Sequence, residues 1–231
     1  MSDRHAVLPS AVRIVLASNN EGKLAELRRL LPADVFVESA REAGVVLPDE
    51  TETTFAGNAL LKARAAVDQT RLIALADDSG LEIDALGGAP GVRSARYAGE
   101  PSDDAANNEL VRQCLAAVPV DERTARFRSA VAVVLPDGRE HVSEGVVEGT
   151  ILETPRGTGG FGYDPLFQPV GYSRSMAELS IDEKNRISHR GKALLAASRW
   201  LLPILEEIER DDRSAGVRDG RANNEIGDQH E

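Results

Sequence analysis

The sequence predicts an α/β fold with a mixed sheet, and three observations carry that reading. Short β-branched apolar runs alternate with stretches of helical periodicity, polar residues gather just past the apolar runs, and one pair of β-rich runs is separated by turn residues alone. Alternation implies crossovers between parallel strands, whereas the turn-linked pair implies an antiparallel hairpin. The first strand is expected over 12–17 (VRIVLA), and Leu24, Leu27, Leu30 and Leu31 then recur at helical spacing before Pro32. A second helix is expected over about 55–69, followed by a buried strand, LIALA, that ends at Asp77. Residues 127–135 and 139–151 flank Pro136-Asp137-Gly138 and read as a hairpin. Ser180 and Glu183 fit a capping box for a short helix, and a long helix follows over about 189–208, with Pro203 as a kink.

The chain has 231 residues, 42% hydrophobic and 28% charged, enough for a substantial core and close to the ordinary globular mix. The expected organisation is an N-terminal extension over 1–11, one domain over 12–208 and a polar tail over 209–231. No apolar stretch has the ~20 residues a membrane span needs, and the first ten residues lack a signal-peptide pattern, so a cytoplasmic protein without a membrane partner is expected. Cys114 is the one cysteine, which excludes an intrachain disulfide and a multi-cysteine zinc site, and a buried, inert thiol is the simplest expectation for it. The net charge of −11 opposes sequence-independent binding of nucleic acid. It argues less strongly against a small anion, because residues 206–231 alone hold nine acidic and four basic side chains.

Five polar clusters are candidates for chemistry. Ser18-Asn19-Asn20-Glu21-Gly22-Lys23 lies between the first strand and its helix, where free amides, the helix dipole and Lys23 favour a phosphate; the plain alternative is a helix cap by Ser18 or Asn19. Asp77-Asp78-Ser79-Gly80 sets two carboxylates side by side, an arrangement that a cation such as Mg²⁺ would relieve, with Glu50 a further carboxylate ahead of the second helix. Asn58 and Lys62, four apart, share one helix face, where Lys62 either reaches a phosphate or runs out to solvent.

Gly157-Thr158-Gly159-Gly160-Phe161-Gly162 contains a literal G-x-G-x-x-G. Tyr163-Asp164-Pro165 follows instead of a helix, so the dinucleotide reading fails. A tight backbone that presents Phe161 to a base, with Asp164 as an acceptor, is the functional alternative to a core phenylalanine. Lys184 with Ser188-His189-Arg190-Gly191, where the short helix meets the long one, offers donors for a ring carbonyl or simple helix-end capping.

Together SNNEGK, ETETTFAGNALLKA, ADDSGLEIDALGGAPGVRSARYAG, GTGGFGYDP and EKNRISHRGKAL resemble the inosine/xanthosine triphosphate pyrophosphatase family, in family order over about 12–202. The resemblance implies an elongated, two-lobed α/β fold with a nucleotide cleft between the lobes, usually as a homodimer. It implies Mg²⁺-dependent hydrolysis of ITP, dITP and XTP to the monophosphate and pyrophosphate. By position it implies that Ser18, Asn19, Asn20, Glu21, Gly22 and Lys23 contact the triphosphate, and that Asp78 holds Mg²⁺ and activates the water. Ser79 would touch the substrate beside it. Phe161, Gly162, Tyr163 and Asp164 would form the base pocket, Lys184 would bind the nucleotide, and His189 with Arg190 would read the 6-oxygen. Glu50 matches an acidic position near the metal, with Glu52 two residues away.

Overall fold

The computed structural model describes residues 12–222. Its elements run β1 (Arg13–Leu16), α1 (Glu21–Leu30), β2 (Phe36–Ser39), α2 (Phe55–Thr70), β3 (Ile73–Ile83), α3 (Asp104–Cys114), β4 (Thr124–Val134), β5 (Glu140–Ile151), β6 (Phe167–Pro169), α4 (Ile181–Ile187) and α5 (His189–Ala222). The expected α/β class and mixed sheet are both present. The six strands lie in the order β2-β1-β3-β4-β5-β6, with β1 parallel to β2 and β3 and the remaining neighbours antiparallel.

Two lobes share this sheet because β3, β4 and β5 are long enough to serve both. At one end, Ile73 and Leu75 face Leu24 and Leu27 of α1 and Leu194 and Leu201 of α5. Ala74 and Ala76 face the small side chains Ala59, Ala63 and Ala66 of α2 on the other side. A third apolar cluster, around Leu81, Ile83, Phe127, Tyr163 and Phe167, fills the far lobe. The alternation follows from the period of two along a strand, and the alanines let α2 lie close to the sheet.

Four expectations change. β3 does not end at Asp77: it continues through Ile83, because Ala125–Val134 of β4 pairs with its backbone residue by residue, and ladder bonds hold a strand whatever its side chains. The long helix does not stop near 208 but runs through Pro203 to Ala222. Extending an existing helix adds one hydrogen bond per residue without a new nucleus, so a polar sequence can propagate it. The expected tail therefore starts as helix, and both its remainder (223–231) and the extension over 1–11 lie outside the described residues. Cys114 is exposed, at the last turn of α3. The hairpin, the α2 span and the Ser180–Glu183 capping box are as expected.

Candidate active site

The phosphate-loop candidate is the turn between β1 and α1. Asn20 caps the helix, its Oδ1 accepting from the Lys23 amide at 3.1 Å, so the cap is one residue beyond the two expected. Ser18 Oγ accepts from the Asn20 amide at 3.2 Å, and Asn19 Oδ1 accepts from the Arg41 amide at 2.8 Å. Those contacts shape the turn and leave Glu21 and Gly22 in the first helical turn, at the positive end of the helix dipole.

Asp77 and Asp78, expected to strain against each other in one site, point to opposite faces of β3. Asp77 lies on the α1 and α5 side, 3% exposed, with Lys23 Nζ 2.6 Å from Oδ1 and Arg190 Nε 3.1 Å from Oδ2. Burial works to raise its pKa, but the Lys23 and Arg190 charges prevail and hold the carboxyl far below the usual range. Two side chains compensate Asp77 without a metal, so the argument from adjacent carboxylates fails for the pair.

Asp78, on the α2 side and 8% exposed, has no cation within ion-pair distance among the described residues. Its Oδ2 accepts from Asn58 Nδ2 at 3.0 Å and its Oδ1 from the Ser79 amide at 2.9 Å. Burial pushes its pKa up, with Lys62 and Asn58 opposing and Glu50 adding to the rise. Lys62 is buried, not a surface lysine, and its Nζ donates to Glu50 Oε1 at 2.5 Å. Glu50 also lies 3.5 Å from Arg96, whereas Glu52 contributes its amide to Asn58, so the acidic partner near Asp78 is Glu50.

Among the described residues no group of three or more His, Cys, Asp or Glu side chains is gathered into a metal cage. Mg²⁺ does not need one, since one or two carboxylates complete its shell with water and phosphate oxygens. Asp78, with a raised proton affinity and no direct cation, and Glu50 beside it fit that donor set.

A cleft of about 550 Å³ lies over the next residues of β3, its lining including Ser79 and Gly80, which follow Asp78 in the strand. Phe161 forms one wall and is 63% exposed, so it is not a core residue. Lys184 Nζ lies 4.8 Å and the Arg190 guanidinium 5.9 Å from its ring centre. Asp164 accepts from the Phe161 amide at 2.9 Å and pairs with Lys184. Gly160 permits that pairing: a Cβ there would fall onto the Asp164 carboxylate, and its φ of 76° suits glycine. The Gly162 amide donates to Asp104 Oδ2 at 2.7 Å and Asn108 Nδ2 donates to the Gly162 carbonyl at 2.8 Å, pinning the loop to α3. Tyr163 is buried, its hydroxyl donating to the Ser94 carbonyl at 2.8 Å, so it supports the wall from behind.

On the facing side, the His189 imidazole stacks on Phe127 of β4, centroids 5.1 Å apart and planes 13° off parallel. Burial, together with the Arg190 and Lys184 charges, pushes its pKa down to about 3, so the ring is neutral at physiological pH. Its Nδ1 is buried without a partner among the described residues, and the residue itself lines the cleft. Gly145 of β5 allows α5 to begin so near the sheet, since a Cβ there would strike the His189 carbonyl. Arg190 reaches down to Asp77 and, with Nη2 3.3 Å from Ser79 Oγ, along the cleft floor.

The structure thus joins the five clusters around one stretch of β3. Sequence reasoning missed Asp104, Asn108, Ser94 and Arg96, which support the site through backbone or distant contacts. Asp103-Asp104 carries the signal of a helix cap only, and Asp103 does cap α3.

The Ham1 family model matches residues 14–200. A dITP/XTP pyrophosphatase of Desulforamulus reducens is 54% identical over 85% of this chain and all of its own length, and one of Streptomyces coelicolor is 49% identical over 85% and 98%. Among solved structures, a HAM1 protein from Coxiella burnetii superposes with a TM-score of 0.78 at 45% identity, covering 83% of this chain and 99% of its own. The Ham1 protein of Staphylococcus aureus gives the same TM-score at 38% identity, covering 83% and 98%. With a model match over most of its length, relatives matched almost end to end and the same fold around one cleft, this chain belongs to the Ham1 family.

Proposed function

We propose that this protein is a Mg²⁺-dependent nucleoside triphosphate pyrophosphatase that hydrolyses ITP, dITP and XTP to the monophosphate and pyrophosphate, and so clears deaminated purines from the nucleotide pool. The observation that carries the reading is how the site is assembled around β3: the cleft walled by the exposed Phe161 is lined by Ser79, the strand neighbour of Asp78, while Lys23 pairs with Asp77 on one face of that strand and Lys62 pairs with Glu50 on the other. The names of the relatives as dITP/XTP pyrophosphatases support the substrate class.

In this reading the base stacks on Phe161, an interaction worth ~1–3 kcal/mol in nucleic-acid binders. Neutral His189 and charged Arg190 supply donors toward a 6-oxo group, which inosine and xanthosine offer and adenine, with its 6-amino donor, does not. Guanine also has that oxygen, so the contact alone does not reject GTP. The α1 amides, Lys23 and Lys62 receive the phosphates. Asp78, its proton affinity raised by burial, orients the attacking water and accepts its proton. Mg²⁺ held by Asp78 and Glu50 would neutralise charge on the leaving pyrophosphate. A homodimer in the cytoplasm belongs to the same reading, supported by the family resemblance and by a single cysteine, which needs no oxidising compartment.

The test is incubation with Mg²⁺ and each of ITP, XTP, dITP, GTP and ATP, with products separated by anion exchange. Monophosphate and pyrophosphate from the inosine and xanthosine nucleotides, with ATP and GTP largely intact, is the expected result. Diphosphate and orthophosphate would move the attack point, and tight ITP binding without product would make the protein a nucleotide sensor.

A further inference from the structure

The resemblance assigns work to Asp78 and leaves its neighbour Asp77 unused, yet Asp77 is the more buried of the two and is the one that holds ion pairs, to Lys23 and to Arg190. Its two oxygens serve two cations from opposite ends of the chain. Lys23 belongs to the first turn of α1 and Arg190 to the first turn of α5, and they meet only at this carboxylate, at 2.6 Å and 3.1 Å. Both are largely buried, with side chains 19% and 13% exposed, so neither is held in place by solvent and they would repel each other without an anion between them.

The two cations lie at different ends of the proposed site. Lys23 ends the phosphate turn, whereas Arg190 reaches Ser79 on the cleft floor and lies 5.9 Å from the Phe161 ring. One carboxylate against two cations also leaves a net positive charge for the anionic substrate.

We propose that Asp77 is a positioning residue that sets the phosphate end of the site in register with its base end, by anchoring Lys23 with one oxygen and Arg190 with the other. It is neither the proton acceptor nor a metal ligand, since it faces the opposite side of β3 from Asp78 and Glu50. The inference rests on the pyrophosphatase reading and adds a coupling to it: base choice and phosphate binding share an anchor.

The experiment compares wild type with Asp77→Asn, recording kcat and KM for ITP and ATP over a Mg²⁺ series, with thermal unfolding as the fold check. Asp77→Asn keeps the shape and removes the charge. The expected result is a fall of at least tenfold in kcat/KM for ITP and of at least threefold in the preference for ITP over ATP, with an unchanged Mg²⁺ midpoint. A merely structural role would not move the preference. A folded Asp77→Asn that keeps both parameters, or that shifts the Mg²⁺ midpoint with preference intact, overturns the proposal.

If Asp77→Asn does not fold, Lys23→Met carries the test, because Asp77 there keeps Arg190 and no cation is stranded. The carboxylate then holds Arg190 alone, and the preference for ITP over ATP is expected to fall at least threefold; an unchanged preference overturns the anchor. Wild type that turns over neither nucleotide would instead sink the pyrophosphatase reading itself, a separate and recognisable outcome.

Discussion

Asp77 and Asp78 are adjacent, both buried and chemically identical, yet the fold gives them opposite environments. The first faces α1 and α5, meets two cations and is driven far below the usual carboxylate range against the effect of burial. The second faces α2, meets an amide and a nearby glutamate, and has its pKa raised by burial. Neither composition nor spacing separates them. The strand's period of two does, by dividing one acidic dipeptide into a locked structural charge and a carboxylate with proton affinity to spare.

The largest test of that contrast is stability. Asp77→Ala strands two buried cations and is expected to cost roughly 3–5 kcal/mol, the range for breaking a buried ion pair by removing one partner. Asp78→Asn should cost much less, because it gives up one of two accepted hydrogen bonds but also removes a charge that burial disfavours; urea unfolding of the two variants reads the difference directly. In activity the order reverses. Asp78→Asn is expected to lower kcat by about 10²–10³, the scale for losing one principal electrostatic group at a reacting centre, and near-normal turnover would remove Asp78 from the chemistry.

Next in size is the platform. Phe161→Ala should raise KM roughly tenfold, within the ~1–3 kcal/mol of a base stack, and leave the unfolding midpoint alone because the ring is mostly exposed. An unchanged KM would place the base elsewhere.

The remaining expected effects are those of pH on stability. Asp77, its pKa lowered by folding, gives stability that is present above the ordinary carboxylate range and lost as pH falls through its lowered value. Asp78, its pKa raised, works the other way: its contribution is present at low pH and lost as pH rises through the raised value. His189 is depressed from 6.5 to about 3, so its stabilisation is full above the unfolded pKa and fades as pH falls from about 6.5 toward 3. A His189→Gln variant should therefore lose less stability than wild type between pH 7 and pH 4, and parallel curves would show that the ring is not held neutral.

Much of the fold was legible because local signals agreed with tertiary ones. Pro136-Asp137-Gly138 bounded the hairpin, Ser180 and Glu183 fixed the start of α4, and the leucines of α1 marked its buried face. β3 was misread at Asp77 because polar side chains interrupt the apolar run, while its continuation depends on ladder bonds to β4, a partner distant in sequence. For the same reason the pairing of Asp77 with Lys23 and Arg190 was invisible: it needs two helix starts brought to one strand. The exposure of Phe161 was open in the sequence, since four glycines suit a core turn as well as a displayed ring. Only the pins from Asp104 and Asn108, together with the Asp164 contact, turn the loop outward. Lys62 seemed able to reach solvent until α2 was seen to press it between Glu50 and the sheet.

The position of attack is the point on which the functional reading stands, and hydrolysis of ITP in ¹⁸O-labelled water with Mg²⁺ tests it most directly. Mass spectrometry of the products should find the label in the monophosphate, as attack at the α-phosphorus requires. Label in pyrophosphate or orthophosphate would contradict the geometry assigned to Asp78 and the reaction built on it.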